Sequence, residues 1–149
     1  MVSEVRVRET SAIDMALLIA RVIVGVVFMA HGAQKLFGAF GGPGLSAVVS
    51  MMGPLGYLVA IGEFFGALGL VVGFLSRFSA VSIILIMLGA VGMVHAKVGF
   101  FMNWMGNQAG EGYEYHLLAI AILLVIVIAG PGRYALARFL PLPKSAILE

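Results

Sequence analysis

Four long apolar runs constrain the fold of this chain more than any other feature of its sequence. They lie at about 14–37, 54–75, 78–99 and 114–130, and each approaches the ~20 residues that a helix needs to cross a hydrocarbon core. Only 11% of the residues are charged and the mean hydropathy is +1.11, whereas soluble domains are about a quarter charged. We therefore predict an all-α membrane protein built as a bundle of four transmembrane helices.

These runs divide the chain into a polar N-terminal segment, a membrane domain and a tail. We assign residues 1–13 to a cytoplasmic segment, 14–138 to the four-helix membrane domain and 139–149 to a cytoplasmic tail. Ser11, three residues before Asp14, resembles a capping box, and this pattern predicts that the first helix begins here.

Two connections differ in composition from the spans. Residues 38–53 are Gly-rich, contain Pro43 and are too short to cross a membrane, which predicts a loop with an interfacial helix. Residues 100–113 mix aromatic side chains with Gly, Asn and Gln, which is typical of a chain leaving the membrane through an interfacial aromatic belt.

The basic residues are distributed unequally between the two sides of the predicted bundle. If the chain crosses the membrane four times, Lys35 and Lys97 lie on one side. The other side carries Arg6, Arg8, Arg77, Arg133, Arg138 and Lys144. Because the side richer in Lys and Arg stays in the cytoplasm, both termini are predicted to be cytoplasmic in a multi-pass protein of the cell membrane.

Composition also limits the chemistry. The sequence has no cysteine, so thiol redox chemistry, iron–sulfur clusters and thiolate metal sites are excluded for this chain alone. A redox role would therefore use a bound molecule, and we predict no metal site. A net charge of +2 does not indicate binding to nucleic acid.

Ionisable residues recur in the extracytoplasmic half of all four spans. Such residues usually face the bundle interior or a watery cavity. Glu63 falls near the middle of the second span, and His31 and His95 lie about 10 Å to the extracytoplasmic side of the centre, at 1.5 Å per residue. Glu114 and His116 begin the fourth span on that side. The shared depth predicts one pocket.

Residues near these groups extend the candidate site. His31, Gln34 and Lys35 share a helix face because three- and four-residue separations stack. Arg21 lies in the inner half of the first span, where it would need an acceptor, and Glu63 is the one buried carboxylate that the predicted spans offer it.

Each of these residues also has a purely structural interpretation. Lys35 could extend its ammonium to the membrane surface, Glu63 could form a structural ion pair, and the histidines could form hydrogen bonds between helices. Glycine stripes such as Gly62, Gly66 and Gly69 are typical of close packing in any membrane bundle.

Several motifs, in order, resemble the DoxX family over about residues 16–138. They are Arg21 in the first span, "HGAQKLFG" followed by "FGGPGL", "AIGEFFGALGLVVGFLSR" at 60–77, "GMVHAKVGFF" at 92–101, and "GYEYHLLAI" leading to "GPGRYAL". The resemblance implies a four-helix protein of a prokaryotic plasma membrane. It also implies a link to quinone-coupled oxidation of reduced sulfur or thiols, or to complexes that defend against oxidative stress.

The leading hypothesis is a quinone-binding membrane subunit that links a partner oxidoreductase to the quinone pool. Quinone chemistry needs proton donors and acceptors near two carbonyl oxygens in an apolar pocket. We assign this role to His31, Glu63 and His95. The predicted ligand-binding residues are Arg21, Gln34, Lys35, Trp104, Tyr113, Glu114, Tyr115 and His116, and the three aromatic residues among them would close the outer mouth.

Other hypotheses remain open. His31 and His95 could be axial ligands of a haem. Because two histidines at matched depth arise easily by chance, we predict that the protein binds no haem. The pocket could instead bind a small lipid or anion without redox chemistry, as a binding protein or carrier. The chain could also be a membrane scaffold whose glycine stripes bind partner helices or a second copy of itself.

Overall fold

A computed structural model describes residues 2–140, with side chains described from residue 11 onward. The described residues are all helical apart from turns and loops, which confirms the predicted all-α class. The helices are α1 (Val2–Phe37), α2 (Gly44–Met52), α3 (Leu55–Val72), α4 (Ser76–Met93) and α5 (Glu114–Ala129), with short 3-10 turns at Ala39–Gly41, His95–Lys97 and Leu136–Phe139.

Three of these helices are long and apolar enough to cross a membrane. They are α1 from Ser11 onward, α3 and α4, whereas α5 is equally apolar but has only 16 residues. The four-span topology and the cytoplasmic position of both termini therefore stay predictions. Large apolar side chains such as Leu58, Leu85 and Ile128 are exposed on the outer faces of α3, α4 and α5, as expected for helices that contact lipid.

One apolar core holds α1, α3, α4 and α5 together. Its fully or nearly fully buried members are Val24, Phe28, Ala67, Leu70, Ala80, Ile83, Met87, Ala119, Leu123 and Ile126. The closest helix pair is α1 with α3, where a Cβ on Gly32 would lie 2.5 Å from the backbone nitrogen of Phe64. Because only glycine allows this approach, Gly32 fixes how α1 and α3 face each other.

Two helix boundaries differ from the sequence prediction. Helix α1 runs without a break from Val2, so Ser11 and Asp14 do not cap a helix start. Asp14 instead accepts a hydrogen bond from the backbone N–H of Arg133 at 2.9 Å and pairs with its side chain at 3.1 Å. Asp14 therefore contacts a residue distant in the sequence instead of capping the start of α1.

The predicted third span, 78–99, is also shorter than expected. Helix α4 ends at Met93 because Val94 leaves helical geometry, with φ −124° and ψ −62°. His95 consequently lies in a separate 3-10 turn, outside a regular membrane helix. In the predicted loop 38–53, the expected short helix is present as α2.

The two ends of the bundle carry different polar residues, and we name them accordingly. At the histidine end, α1 and α4 terminate and α3 and α5 begin, close to His31, His95 and His116. At the arginine end, α3 and α5 terminate near Arg21 and Arg133.

Candidate functional site

A cavity of about 490 Å³ lies at the histidine end, within the ~300–1,000 Å³ range of small-molecule sites. Helices α1, α3, α4 and α5 all contribute to its wall. Six predicted site residues line it, namely His31, Lys35, Glu63, His95, Tyr115 and His116. The structure therefore brings together groups that the sequence related only by their depth.

An ion pair between α1 and α3 forms one part of the wall. Lys35 Nζ lies 2.5 Å from Glu63 Oε2, and the two side chains are 25% and 4% exposed. Both residues lie within one turn of the close contact between Gly32 and Phe64. The helix approach that Gly32 permits thus positions the pair, and the C-terminal end of α1 favours a cation at Lys35.

The histidines and Tyr115 form a second part of the wall. The rings of His95 and His116 have centroids 4.1 Å apart, and those of His31 and Tyr115 lie 6.2 Å apart. His95 Nδ1 lies 2.7 Å from the backbone oxygen of Glu111. This contact orients the His95 ring, whose position depends on the early end of α4.

Two buried polar atoms of this cavity have no hydrogen-bond partner among the described residues. They are the Tyr115 hydroxyl oxygen and His116 Nδ1. Buried polar atoms are nearly always hydrogen-bonded, and His116 is only 6% exposed. Both residues contribute to the cavity wall, so a molecule bound there would lie next to two side chains whose buried polar atoms are unpaired.

Part of the cavity wall comes from the loop that leads into α5, and we call residues 98–113 the roof loop. It contributes Met102 and Glu111 to the cavity wall. The Met102 backbone N–H donates to Glu114 Oε1 at 3.0 Å, and the Asn103 N–H donates to Glu111 Oε2 at 2.7 Å. Glu114 at the start of α5 therefore ties the loop to that helix, and Glu111 bonds across the loop itself.

Five predicted site residues lie outside the cavity wall. Glu114 holds the roof loop, Trp104 is exposed on that loop, and the Tyr113 ring packs edge-on against Phe100 at 5.4 Å. Gln34 packs against the turn at Gly42.

The fifth residue, Arg21, is at the arginine end, and its expected pairing with Glu63 is wrong. The fully buried guanidinium donates to four backbone carbonyls, with Nη1 2.9 Å from Leu70 O and 2.6 Å from Val71 O, Nε 3.2 Å from Pro131 O, and Nη2 on Tyr134 O. Two of these carbonyls belong to the last turn of α3, where helix carbonyls lack partners and a cation is favoured. Arg21 is thus satisfied without a carboxylate.

Sequence reasoning missed several wall residues. Phe28 lies three residues before His31 on the same face of α1 and could have been found from that spacing. Glu111 was missed because it lies in a Gly-rich stretch outside the predicted spans. Among the described residues, no group of three or more His, Asp or Glu side chains is arranged to hold a metal ion.

Comparison with known proteins agrees with the all-helical membrane architecture. The DoxX family profile matches residues 16–96, more than half of the chain, and the protein belongs to the DoxX family. It is 28% identical over 113 residues to a Bacillus subtilis (strain 168) protein named "Putative oxidoreductase CatD", a match covering 76% of this chain and 79% of the relative. No solved structure matches the chain.

Proposed function

We propose that this protein is a membrane-integral subunit of a redox complex and binds a quinone headgroup in the histidine-end cavity. The observation that carries the proposal is the pair of cavity-lining residues Tyr115 and His116, whose buried polar atoms Oη and Nδ1 have no partner among the described residues. A quinone headgroup is flat and largely apolar, with two carbonyl oxygens that accept hydrogen bonds. The cavity combines polar side chains that include such donors with a large share of apolar side chains.

The cavity residues have complementary roles in this proposal. The Tyr115 hydroxyl donates to one carbonyl oxygen, and His116 donates to the other when its proton is on Nδ1. Glu63, buried beside Lys35, holds or releases a proton at the cavity wall. Met52, Met87, Met93 and Met102 line the same cavity, and flexible thioether side chains adapt to a flat ring.

Electrons must come from outside this chain. A bound quinone would take up two electrons and two protons to give the quinol while the donor is oxidised by two electrons. The sequence contains no cysteine, so the proposal includes a partner oxidoreductase that oxidises a sulfur compound or thiol, or that acts in defence against oxidants. Support comes from the DoxX membership and from the relative named as an oxidoreductase.

A binding titration tests the proposal on the full-length protein in detergent. The probe is a decyl-substituted benzoquinone, and the signal is quenching of Trp104, the single tryptophan. Tyr115→Phe should raise the Kd about three- to tenfold, since it removes one buried hydrogen bond of about 0.5–1.5 kcal/mol. Stability without ligand should not fall, because that hydroxyl has no partner to lose.

Tyr57→Phe is the matched control because Tyr57 is exposed on α3 and does not line the cavity. It should leave the Kd unchanged. Absence of saturable quinone binding, or equal effects of the two Tyr→Phe variants, contradicts the proposal. A copurifying lipid that occupies the cavity and excludes the quinone would instead support the non-redox binding hypothesis.

A further inference from the structure

Part of the histidine-end cavity wall is apolar. It comes from the end of α2, the first turns of α3 and the residues at the end of α4. We call it the apolar window, formed by Met52, Val59, Ala90, Met93 and Val94. None of its five side chains carries a hydrogen-bonding N–H or O–H group or a charge.

Helices α3 and α4 are in close contact away from this window. Near the arginine end, a Cβ on Gly69 would lie 2.7 Å from Ser79 Oγ, and midway along α3 a Cβ on Gly62 would lie 2.9 Å from Ile86 Cδ1. Val59 and Ala90, which line the cavity, lie beyond these contacts toward the histidine end.

Burial along α4 decreases toward the histidine end. Ile83 is completely buried and Met87 is 4% exposed, whereas Met93 and Val94 are 52% and 56% exposed. The last two residues border the cavity and also lie on the outer surface of the bundle. The apolar window thus reaches from the cavity to the outer surface of the bundle.

We propose that the apolar window is a lateral portal and that the ligand is a long-chain, lipid-soluble quinone. The headgroup contacts Tyr115 and His116, and the apolar chain leaves between Val59 and Ala90 toward the acyl chains of the bilayer. This inference rests on the proposed function. Its physical basis is continuity: the window joins the cavity to a lipid-facing surface, and apolar side chains there gain most from contact with an apolar chain.

The test compares two probes with one headgroup, a tail-free dimethoxy-methyl-benzoquinone and its decyl derivative. Ala90→Phe and Val94→Phe place a bulky ring in the window from two positions on its rim. Ala121→Phe is the matched control because Ala121 is exposed on α5 and lies outside the cavity wall. Binding is measured by Trp104 quenching in the same detergent, so partition of each probe into micelles is the same for all variants.

Ala90→Phe and Val94→Phe should raise the Kd of the decyl probe at least about tenfold, the effect of losing contact with two or more methylene groups. The Kd of the tail-free probe should change less than about twofold, and Ala121→Phe should change neither value. Val94 lies beyond the end of α4, so its variant keeps the test valid if Ala90→Phe fails to fold.

Two results would overturn the portal while leaving the headgroup site intact. Unchanged decyl binding in both variants would mean that the chain leaves elsewhere, and equal loss of both probes would mean that the window is part of the headgroup site. If neither probe binds the wild-type protein, the proposed function itself fails, and the portal fails with it.

Discussion

The two ends of the bundle treat buried polar groups in opposite ways. At the arginine end, Arg21 is fully buried and each of its three guanidinium nitrogens donates to a backbone carbonyl. At the histidine end, Tyr115 and His116 line a cavity and each has a buried polar atom without a partner among the described residues. A charge satisfied by fixed backbone groups stabilises a structure, whereas an unpaired polar atom in a residue that lines a cavity is a candidate to bind a ligand.

Residues that follow α5 also pack against the arginine end, where they contact Arg21 and the end of α3. Arg21 reaches the carbonyls of Pro131 and Tyr134, and Ala137 N–H donates to Gly73 O at 3.1 Å. Two other atoms near this end, Ser76 Oγ and Arg77 Nε, are buried without a partner among the described residues, but neither residue lines the histidine-end cavity. A buried polar atom without a hydrogen-bond partner indicates a ligand site only where its residue also lines a cavity.

Replacing Arg21 should produce the largest effect. Arg21→Met removes the guanidinium donor from four backbone carbonyls, and we expect a loss of about 3–5 kcal/mol in the free energy of unfolding, as for a broken buried charge network. Arg21→Lys should recover part of this loss because one ammonium cannot reproduce the guanidinium fork. Unfolding in detergent, followed by circular dichroism, measures both variants.

Arg133→Met provides the control for this prediction. The Arg133 side chain is 58% exposed, and we expect a loss below about 1 kcal/mol. If Arg21→Met were no more destabilising than Arg133→Met, the carbonyl contacts would not be what closes the arginine end.

The next effect concerns the contact between α1 and α3 beside the histidine-end cavity. Gly32→Ala places a methyl group against the Phe64 backbone, and overpacking of this kind destabilises by about 1–3 kcal/mol. Because Lys35 and Glu63 flank this contact, quinone binding should weaken in parallel. Gly92→Ala on α4 is the control, since a Cβ there meets no atom within 4 Å. Similar stability of the two variants would show that α1 and α3 are not locked at Gly32.

The sequence was sufficient for the helices but insufficient for the partners of their polar residues. Apolar runs of membrane length predicted an all-helical chain, and similar depth grouped His31, Glu63, His95 and His116, which all line one cavity. Depth contains no information on rotation around a helix axis, so it could not separate Tyr115 on the cavity wall from Tyr113 against Phe100.

Long-range backbone contacts were a second source of error. The search for an acceptor for Arg21 considered carboxylates, but its acceptors are carbonyls at the end of α3 and after α5. Asp14 matched a local capping pattern, yet it binds Arg133. In both cases the partner is more than 45 residues away in the chain, beyond the reach of motif and periodicity arguments.

A smaller effect is expected at the ion pair of the histidine end. Glu63→Gln keeps the side-chain shape and removes the charge, so quinone binding should weaken about tenfold, or about 1.4 kcal/mol. Stability should change by less than in Gly32→Ala, because Lys35 is 25% exposed and can extend its ammonium to water. The measurements are the Trp104 titration and thermal unfolding.

Glu114→Gln is the matched control at the same end. Its remaining amide oxygen can still accept the hydrogen bond from the Met102 N–H, so the Kd should stay within about twofold of wild type. A Glu63→Gln protein that lost stability but bound quinone normally would make the Lys35–Glu63 pair structural, like Arg21, and would remove the contrast between the two ends.

The smallest effect is expected for Asp14→Asn at the arginine end. The amide oxygen can still accept the Arg133 N–H, while the charge that pairs with the exposed Arg133 side chain is lost. Such pairs contribute less than about 1 kcal/mol, and the difference from wild type should shrink in about 1 M salt because charges near the surface are screened. Unfolding at low and high salt measures it. A loss as large as that of Arg21→Met, unaffected by salt, would mean that Asp14 and Arg21 on α1 together hold the segment after α5 in place, rather than Arg21 alone.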